Sequence, residues 1–431
     1  MNNYHNIIDC FEIEDIAYGA KGITRKDGKV YFAPNTLPGD HISARILCDK
    51  KNYAELTDIK IQKRSPLRQP NPCSVGEICG GCQWLSVDTG VQRDWKKKFL
   101  RTACEKIGKF PLAPDLIEIW PSTLDLGYRN RIRLRGKKGN RKLGYLIKGS
   151  KNWTPIDQCY IASSSIQKFI SQWHQENFIP HCDFQLEIQE LPSSKSKVLV
   201  TILKDGPIHK KTFASIEEKA KKQEIVAWIG KKWTISRAPF FLMESHLGVD
   251  FYIKPGHFYQ INIQGNRLLR EEVKQFIEER KSKKILDLFC GCGNLTLTLA
   301  HEERSILGIE SHPSSISAAT YTVEQNQLPG NIKYIQGDAR KILPTLKNRN
   351  NAFDAIIADP PREGLKQCLS IITQLLPATI VLIGCEPNHF ARDLGKLVAS
   401  GYHLTRLIVA DFFPQTFHLE AIAFLTSITK E

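Results

Sequence analysis

The stretch KKILDLFCGCGNLTLTLA, Lys283–Ala300, joins an aliphatic run, a carboxylate, a glycine-spaced turn and a second apolar segment. We interpret it as a strand followed by a turn that opens a helix at NLTLTLA. From Lys254 onward, aliphatic runs alternate with helix-like stretches, which is typical of a doubly wound parallel sheet. The last two runs are joined by a short connection, so we expect an antiparallel hairpin at the end of this sheet.

Two acidic residues follow the next strands of the predicted sheet. Glu310 closes the run SILGIE, about 20 residues beyond the glycine turn, where an acid can bind ribose hydroxyls. Asp338 in GDAR closes the third strand and can accept a hydrogen bond from an adenine amino group. A dinucleotide would need a third glycine for its pyrophosphate, and NLTLTLA, which follows Gly293, has none. S-adenosylmethionine therefore fits better than NAD, and the pattern predicts a methyltransferase.

The ends of the fourth and fifth predicted strands indicate the methyl acceptor. Enzymes that methylate amino groups carry an aromatic residue after an Asp-Pro-Pro motif, whereas ADPPREG has Arg362 there. A substrate carbon is then the expected acceptor. The strand IVLIGCEPNHF stops at Cys385, which is either a small core side chain or a catalytic thiol at the active edge of the sheet.

Four regions precede or include this sheet. Residues 1–62 alternate short strands with turn signals, which predicts a small OB-like β-barrel that binds oligonucleotides. A proline-bearing linker and a cysteine cluster occupy 63–90, and a mixed α+β domain occupies 91–253. The methyltransferase domain takes 254–431. The fold class is thus a multi-domain α/β protein with a C-terminal Rossmann-like domain.

The cysteine cluster has the spacing C-x5-C-x2-C over Cys73, Cys79 and Cys82, with Gly80 and Gly81 between the last two cysteines. Three thiols leave a tetrahedral site one ligand short. Cys159 is our candidate for the fourth ligand, and Cys104 is the alternative. The spacing indicates a metal site but does not separate zinc from an iron–sulfur cluster.

Charge and hydropathy indicate the compartment and the partner. The chain carries 60 Lys and Arg against 45 Asp and Glu, a net charge of +15, and Tyr128–Lys151 holds ten basic residues and no acid. That density favours a surface for a phosphate backbone. No run approaches the length of a membrane span, and the N-terminus lacks a signal pattern. We expect a cytoplasmic, reducing location without disulfides, and a monomer.

Several motifs in a fixed order make the chain recognisable: LPGD, CSVGEICGGC, YRNR, FYQIN, DLFCGCGN, DPPREG, GCEPNHFARDL and FFPQTFHLE. The chain resembles, over nearly its whole length, the 23S rRNA (uracil-5-)-methyltransferases that carry an N-terminal TRAM barrel and a [4Fe–4S] cluster. The resemblance implies that the cluster is held by Cys73, Cys79, Cys82 and Cys159. It implies that S-adenosylmethionine is contacted by Gln260, Phe289, Asn294, Glu310, Asp338 and Asp359. Cys385 matches the family's nucleophile and Glu420 its base.

The family's nucleophile motif usually reads Ser-Cys-Asn-Pro, and here it reads GCEP. A carboxylate of Glu386 facing the thiol would oppose thiolate formation. Phe258 is a candidate stacking platform for a flipped uracil, and Arg129 and Arg131 are candidate RNA contacts. Two other functions remain open: a uridine methyltransferase acting on tRNA, and a non-catalytic rRNA-binding factor with a vestigial pocket.

Overall fold

The computed structural model describes residues 8–113, 115–175, 179–193, 198–203, 209–211, 214, 218, 228–230, 233–234, 240–348 and 352–428. Within these residues the strands form four sheets, of six, seven, two and eight strands. None of the helices described is long and apolar enough to cross a membrane.

The first sheet has six strands in the order β1-β5-β6-β4-β3-β2 and is strongly curled. Its outer strands are consecutive in the chain and are separated only by Ile13 and Glu14, so the two ends of the sheet meet. A small apolar core that includes Phe11, Ile42 and Leu56 fills its interior. The predicted N-terminal barrel is confirmed by these strands: β1 Ile8–Glu12, β2 Asp15–Ala17, β3 Lys21–Lys26, β4 Lys29–Pro34, β5 His41–Asp49 and β6 Tyr53–Lys63.

The central region holds short helices and a seven-stranded sheet in the order β10-β9-β8-β11-β12-β13-β14. Helix α3 covers this sheet with the buried side chains of Ile166, Phe169, Ile170 and Trp173. The helices are α1 Gly76–Cys79, α2 Thr89–Ala103 and α3 Ser164–Gln175, and a π-helical turn, Cys104–Gly108, continues α2. The strands are β8 Arg131–Gly136, β9 Leu143–Leu146, β10 Trp153–Pro155, β11 Phe184–Glu190, β12 Val198–Ile202, β13 Trp228–Gly230 and β14 Trp233–Thr234.

The eight-stranded sheet has the order β19-β18-β17-β20-β21-β23-β22-β7. Strands β17 to β21 are parallel, and β23 is antiparallel to both of its neighbours, so the expected terminal hairpin is confirmed. The strands are β7 Ile117–Trp120, β17 Lys284–Leu288, β18 Ser305–Glu310, β19 Asn331–Gln336, β20 Ala355–Ala358, β21 Thr379–Gly384, β22 Tyr402–Ala410 and β23 Glu420–Ser427. A separate hairpin, β15 Phe241–His246 and β16 Val249–Ile253, precedes it.

Helices pack on both faces of this sheet, as in doubly wound domains. One face carries α4, whose Leu269, Val273 and Phe276 join the core there. The other face carries α8, together with α2 from the central region. The helices are α4 Ile263–Glu279, α5 Pro313–Asn326, α6 Ala339–Asn348, α7 Cys368–Leu375 and α8 Pro387–Ala399.

The structure differs from the sequence expectation at two points. Strand β7 pairs in parallel with β22, and Trp95 and Phe99 of α2 are buried in the core of the same sheet. These segments fall in the predicted central domain, yet they cover an edge and a face that the C-terminal residues leave open. The second difference is the expected helix at NLTLTLA, which was wrong: only one 3-10 turn, Leu297–Leu299, forms there.

Candidate active site

A cavity of about 450 Å³ opens at the carboxyl ends of β17, β18, β19 and β20. It lies where ligands bind in open α/β sheets. The structure brings all six predicted cofactor contacts to its wall: Gln260, Phe289, Asn294, Glu310, Asp338 and Asp359.

The turn after β17 has an unusual backbone. Phe289 has a φ of +62°, and Gly291 and Gly293 have φ of +54° and +77°. A Cβ at Gly293 would lie 2.7 Å from the Leu297 side chain, so glycine is required there for space as well as for conformation. This turn lines the cavity, so its backbone forms part of the cavity wall.

Hydrogen bonds fix the carboxylate of Glu310 at the end of β18. One of its oxygens accepts a bond from the Gly291 amide at 3.1 Å. The other accepts bonds from the His312 amide at 2.8 Å and from the Ser311 hydroxyl at 3.1 Å. These bonds hold the acid at the mouth of the glycine turn, where sequence analysis places a partner for ribose hydroxyls.

Asp338 follows β19 and is held by Arg340. Its Oδ1 accepts bonds of 2.9 Å from both the Arg340 amide and the Arg340 Nε. The bonds from Arg340 lower the pKa of Asp338 to about 2, so this carboxylate is charged at neutral pH. Asn294, which also lines the cavity, is held by reciprocal amide bonds with Asn266 of 2.9 and 2.7 Å.

Three predicted chemical groups converge where β20, β21 and β23 lie side by side. Asp359 follows β20, Cys385 follows β21, and Glu420 begins β23. Gly384 pairs with Ala421 in the antiparallel register, so the residue after Gly384 and the residue before Ala421 lie opposite each other. Cys385 and Glu420, 35 positions apart in the chain, are thus neighbours at one edge of the sheet.

The thiol of Cys385 lies in an acidic, partly buried environment. Burial, and then the charges of Glu420 and Asp359, raise its pKa to about 11, while Arg362 acts in the opposite direction. Arg362 is therefore the cation that faces the thiol. From the sequence, Arg362 was identified only as the residue that replaces an aromatic. Its position directly after the strand-end motif indicates that it lies near the active edge.

The carboxyls of Asp359 and Glu420 influence each other. Burial raises the pKa of Asp359 to about 6. Glu420 is almost fully buried, and burial together with the Asp359 charge raises its pKa well above the usual value. Gln260 donates a bond to Asp359 at 3.3 Å. Two close carboxyls in such a setting do not both ionise readily, so the pair tends to keep one proton.

Glu386 turns away from the thiol. Its side chain caps helix α8 by accepting a bond from the His389 amide at 2.8 Å, and it also contacts the ring of His389 at 3.2 Å. Pro387 occupies the first turn of this helix, where proline is favoured. The substitution in the GCEP motif thus serves the helix terminus, and the carboxylates that act on Cys385 come from other strands.

A second cavity, of about 180 Å³, is lined by the four cysteines Cys73, Cys79, Cys82 and Cys159. Arg129 and Tyr145 complete part of its wall, and the Tyr145 hydroxyl donates to the Cys159 sulfur at 3.4 Å. Burial, followed by the charges of the other three thiols, raises the pKa of Cys82 to about 12. Gly80, with φ +71°, ends α1 against Lys148 and turns the chain between two of these cysteines.

The alternative fourth ligand, Cys104, is wrong on position, because its side chain is fully buried in the core of the eight-stranded sheet. Across the described residues, however, no group of three or more His, Cys, Asp or Glu converges tightly enough to hold a single metal ion. The donor set is that of a thiolate-rich site, and its cavity exceeds the roughly 30 Å³ of one water molecule.

The YRNR segment connects this cavity to the cofactor pocket. Asn130 donates to the carbonyl of Gln260 at 2.8 Å, and Arg131 donates to the carbonyl of His257 at 2.5 Å. The Arg131 guanidinium also lies 5.8 Å from the ring centroid of Phe258, whose side chain is 62% exposed at the cavity mouth. Side chains of the YRNR segment thus fix the backbone around FYQIN through hydrogen bonds to its carbonyls.

The basic segment Tyr128–Lys151 is less cationic in the folded protein than its sequence implies. Arg131 and Arg133 both lie near Glu187, and Lys137 pairs with Asp183. Lys142 pairs with Asp157. Three acids from outside this segment thus pair with four of its ten basic residues.

Comparison with known proteins identifies the family. The family described as tRNA (Uracil-5-)-methyltransferase matches residues 92–428. An uncharacterised RNA methyltransferase of Protochlamydia amoebophila is 30% identical, with 97% of each chain covered. The 23S rRNA (uracil(1939)-C(5))-methyltransferase RlmD of Mannheimia succiniciproducens is 27% identical over 95% of this chain and 94% of its own.

The fold is shared with a solved structure of the Pyrococcus abyssi tRNA (uracil-54, C5)-methyltransferase bound to S-adenosyl-L-homocysteine. The TM-score is 0.70 at 22% identity, covering 97% of this chain and all of that one. With the family match spanning more than three quarters of the sequence, the chain belongs to the S-adenosylmethionine-dependent RNA (uracil-5-)-methyltransferases.

Proposed function

We propose that this enzyme methylates C5 of a uridine in 23S rRNA and that Cys385 and Glu420 carry the chemistry. The observation that supports this most strongly is the meeting of Cys385, Glu420 and Asp359 at one sheet edge beside the cofactor cavity. The similarity to RlmD favours ribosomal RNA as the substrate.

The cavity residues suit S-adenosylmethionine. Glu310 would bind the ribose hydroxyls, Asp338 the adenine amino group, and the Phe289–Asn294 turn would line the rest of the ligand. Gln260 and Asp359 lie on the side of the cavity nearest the thiol. When bound, the cofactor supplies the methyl group that C5 of the uracil takes up.

Cys385 begins the reaction as the nucleophile. Its sulfur forms a bond to C6, and the electron pair of the C5–C6 double bond moves onto C5 and O4 as an enolate. The thiol must first lose its proton, which its high pKa opposes. Arg362 favours the thiolate. The thiol proton passes to solvent, because the Asp359–Glu420 pair already keeps one proton and Glu420 must be ionised for the last step.

Glu420 completes the reaction as the base. It takes the proton from the methylated C5, the C–H electron pair restores the C5–C6 double bond, and the C6–sulfur bond breaks to release Cys385. This role requires the ionised form of Glu420. The proton shared with Asp359 must then reside on Asp359 or leave the pair.

The uridine must leave its stack to reach Cys385, because the thiol lies in a recess at the sheet edge. Phe258 offers an exposed ring for stacking at the cavity mouth, and Arg131 beside it is a cation for the adjacent phosphate or base. Arg129 lies nearer the cysteine cavity and is the second candidate RNA contact.

The four cysteines are proposed to hold a [4Fe–4S] cluster. Four buried thiolates would repel one another, and a cationic centre that binds them offsets this repulsion. The resemblance of CSVGEICGGC to the cluster-bearing family favours a cluster over zinc, and all four cysteines line one cavity. An absorbance spectrum of anaerobically purified protein tests this, since an iron–sulfur protein is brown and a zinc protein is colourless.

Mass spectrometry of 5-methyluridine in purified 23S rRNA and tRNA, with and without the gene, tests the substrate. Loss of one modified uridine from 23S rRNA, restored by the wild-type gene but not by Cys385→Ala, is the expected result. Loss from tRNA alone would move the activity to tRNA. Unchanged 5-methyluridine in both RNAs would favour the non-catalytic rRNA-binding factor.

A further inference from the structure

Tyr18 comes from the N-terminal curled sheet but lies at the catalytic edge of the distant eight-stranded sheet. It follows β2, and its phenol donates a hydrogen bond of 3.1 Å to the backbone carbonyl of Cys385, 367 positions further along the chain. A residue next to a strand of the N-terminal curled sheet therefore contacts the backbone of the proposed nucleophile.

The ring of Tyr18 is held on two sides. It packs edge-on against Phe99 of α2, with centroids 5.9 Å apart, and against Phe417, with centroids 5.2 Å apart and planes at 90°. Phe417 lies three residues before Glu420. The same tyrosine thus contacts the segments that present both the thiol and the proposed base.

The surrounding core fixes this arrangement. Ile16 and Ala20, which flank Tyr18, are buried in the same apolar cluster as Leu382 of β21 and Ala421 of β23. Burial is the main cause that raises the pKa of the Tyr18 phenol, and the charge of Glu386 adds to it. The phenol therefore stays protonated and remains a donor over the pH range in which the enzyme works.

We propose that Tyr18 is a positioning residue that orients Cys385 for attack on C6. A hydrogen bond to the carbonyl fixes the peptide plane after Cys385 and with it the direction of the Cα–Cβ bond that carries the thiol. Because reaction rates fall steeply when a nucleophile is misplaced, the curled sheet takes part in catalysis in addition to any RNA binding. This inference rests on the proposed role of Cys385.

Tyr18→Phe keeps the ring and its aromatic packing and removes only the donor. The matched control is Tyr402→Phe: the Tyr402 phenol also donates to a backbone carbonyl, that of Pro377, at 3.0 Å. Tyr402 pairs with Ser427 at the far end of β22 and β23, away from the Cys385 edge. The two variants therefore remove equivalent hydrogen bonds at opposite ends of the β22–β23 pair.

The test is single-turnover formation of the covalent complex with 5-fluorouridine RNA, at saturating RNA and S-adenosylmethionine. Losing one hydrogen bond should slow Tyr18→Phe about fivefold to tenfold. The Kd for RNA and the Kd for S-adenosylmethionine should stay at wild-type values, and the Tm should fall no further than in Tyr402→Phe. Tyr402→Phe should keep the wild-type rate. An unchanged rate in Tyr18→Phe, or a weaker Kd with an unchanged saturated rate, would overturn the proposal.

A second measurement needs no RNA. Alkylation of Cys385 by iodoacetamide, followed by peptide mass spectrometry, should be several-fold faster in Tyr18→Phe because the thiol is less constrained. Equal alkylation in Tyr18→Phe and Tyr402→Phe would overturn the positioning role. If wild-type protein forms no RNA complex yet alkylation responds to Tyr18→Phe, the proposed function fails while the positioning of Cys385 by Tyr18 stands.

Discussion

The thiols of Cys385 and Cys82 both have a raised pKa, and burial is the largest cause for each. The second cause differs between the two sites. The pKa of Cys385 rises to about 11 and that of Cys82 to about 12. For Cys385 the further contributions come from two carboxylates, opposed by Arg362. For Cys82 they come from Cys159, Cys79 and Cys73, opposed by Arg129.

This difference separates a reactive thiol from a ligand set. Four thiolates in one cavity would repel one another, and a metal centre that binds them stabilises all four at once. A single thiol beside an arginine and two carboxyls has a cation that favours its thiolate and a base for the step that releases it. The same residue type is therefore suited to binding in one cavity and to covalent chemistry in the other.

Replacing Cys385 by Ala should have the largest effect on this comparison. We expect 5-methyluridine formation to fall by at least about three orders of magnitude, since a nucleophile has no substitute in the mechanism. Binding of S-adenosylmethionine should be retained, because Cys385 does not line the cofactor cavity. Turnover assays and isothermal titration check both outcomes, and residual turnover near the wild-type rate would remove Cys385 from the role.

Replacing Glu420 by Gln should block the last step and leave the first intact. We expect turnover to fall by about two orders of magnitude or more, typical of losing a general base. The methylated covalent complex should then accumulate on ordinary uridine RNA and be visible as a shifted band on a denaturing gel. Normal turnover without an accumulating complex would exclude Glu420 as the base.

Replacing Cys79 by Ala should affect the other cavity. Loss of one of four ligands should lower the Tm and weaken RNA binding more than it weakens S-adenosylmethionine binding. Cys182→Ala is the control, since Cys182 has similar intermediate exposure but lies outside the cysteine cavity. Equal effects of the two substitutions on Tm and RNA affinity would contradict a shared site for Cys73, Cys79, Cys82 and Cys159.

Replacing Asp359 by Asn should have the smallest and most specific effect, on the thiol pKa. Removing a negative charge near Cys385 stabilises the thiolate, so the pKa should fall from about 11 toward the ordinary value. At pH 8 the thiolate fraction and the alkylation rate of Cys385 should then rise several-fold, as a shift of one unit changes that fraction about tenfold. A pH profile of alkylation that is identical in the two proteins would show that Asp359 does not act on the thiol.

The sequence was sufficient to predict those site residues that lie at the ends of successive parallel strands. Glu310, Asp338, Asp359 and Cys385 each directly follow or close a parallel strand, so a correct strand count was enough to bring them to one edge. Glu420 required the further inference that the last strand is antiparallel, which the β21–β23 register confirms.

The remaining features depend on contacts that periodicity does not encode. The Tyr18 bond to Cys385 joins two regions at opposite ends of the chain, and β7 joins the C-terminal sheet from within the predicted central domain. The acids that offset the basic segment are also remote in sequence. In NLTLTLA, five successive Leu and Thr side chains are buried, whereas a surface helix would bury only one face. The hydroxyl of Thr296 also donates a hydrogen bond of 2.6 Å to Asp287.

The most direct test of the central claim is to map the covalent complex formed with 5-fluorouridine RNA. Fluorine at C5 cannot leave as a proton does, so the thiol adduct persists after methyl transfer. Digestion and mass spectrometry should find the nucleotide on the peptide that contains Cys385, with the mass of the added methyl group. Attachment to any other cysteine, or a stable covalent complex in the Cys385→Ala variant, would contradict the account.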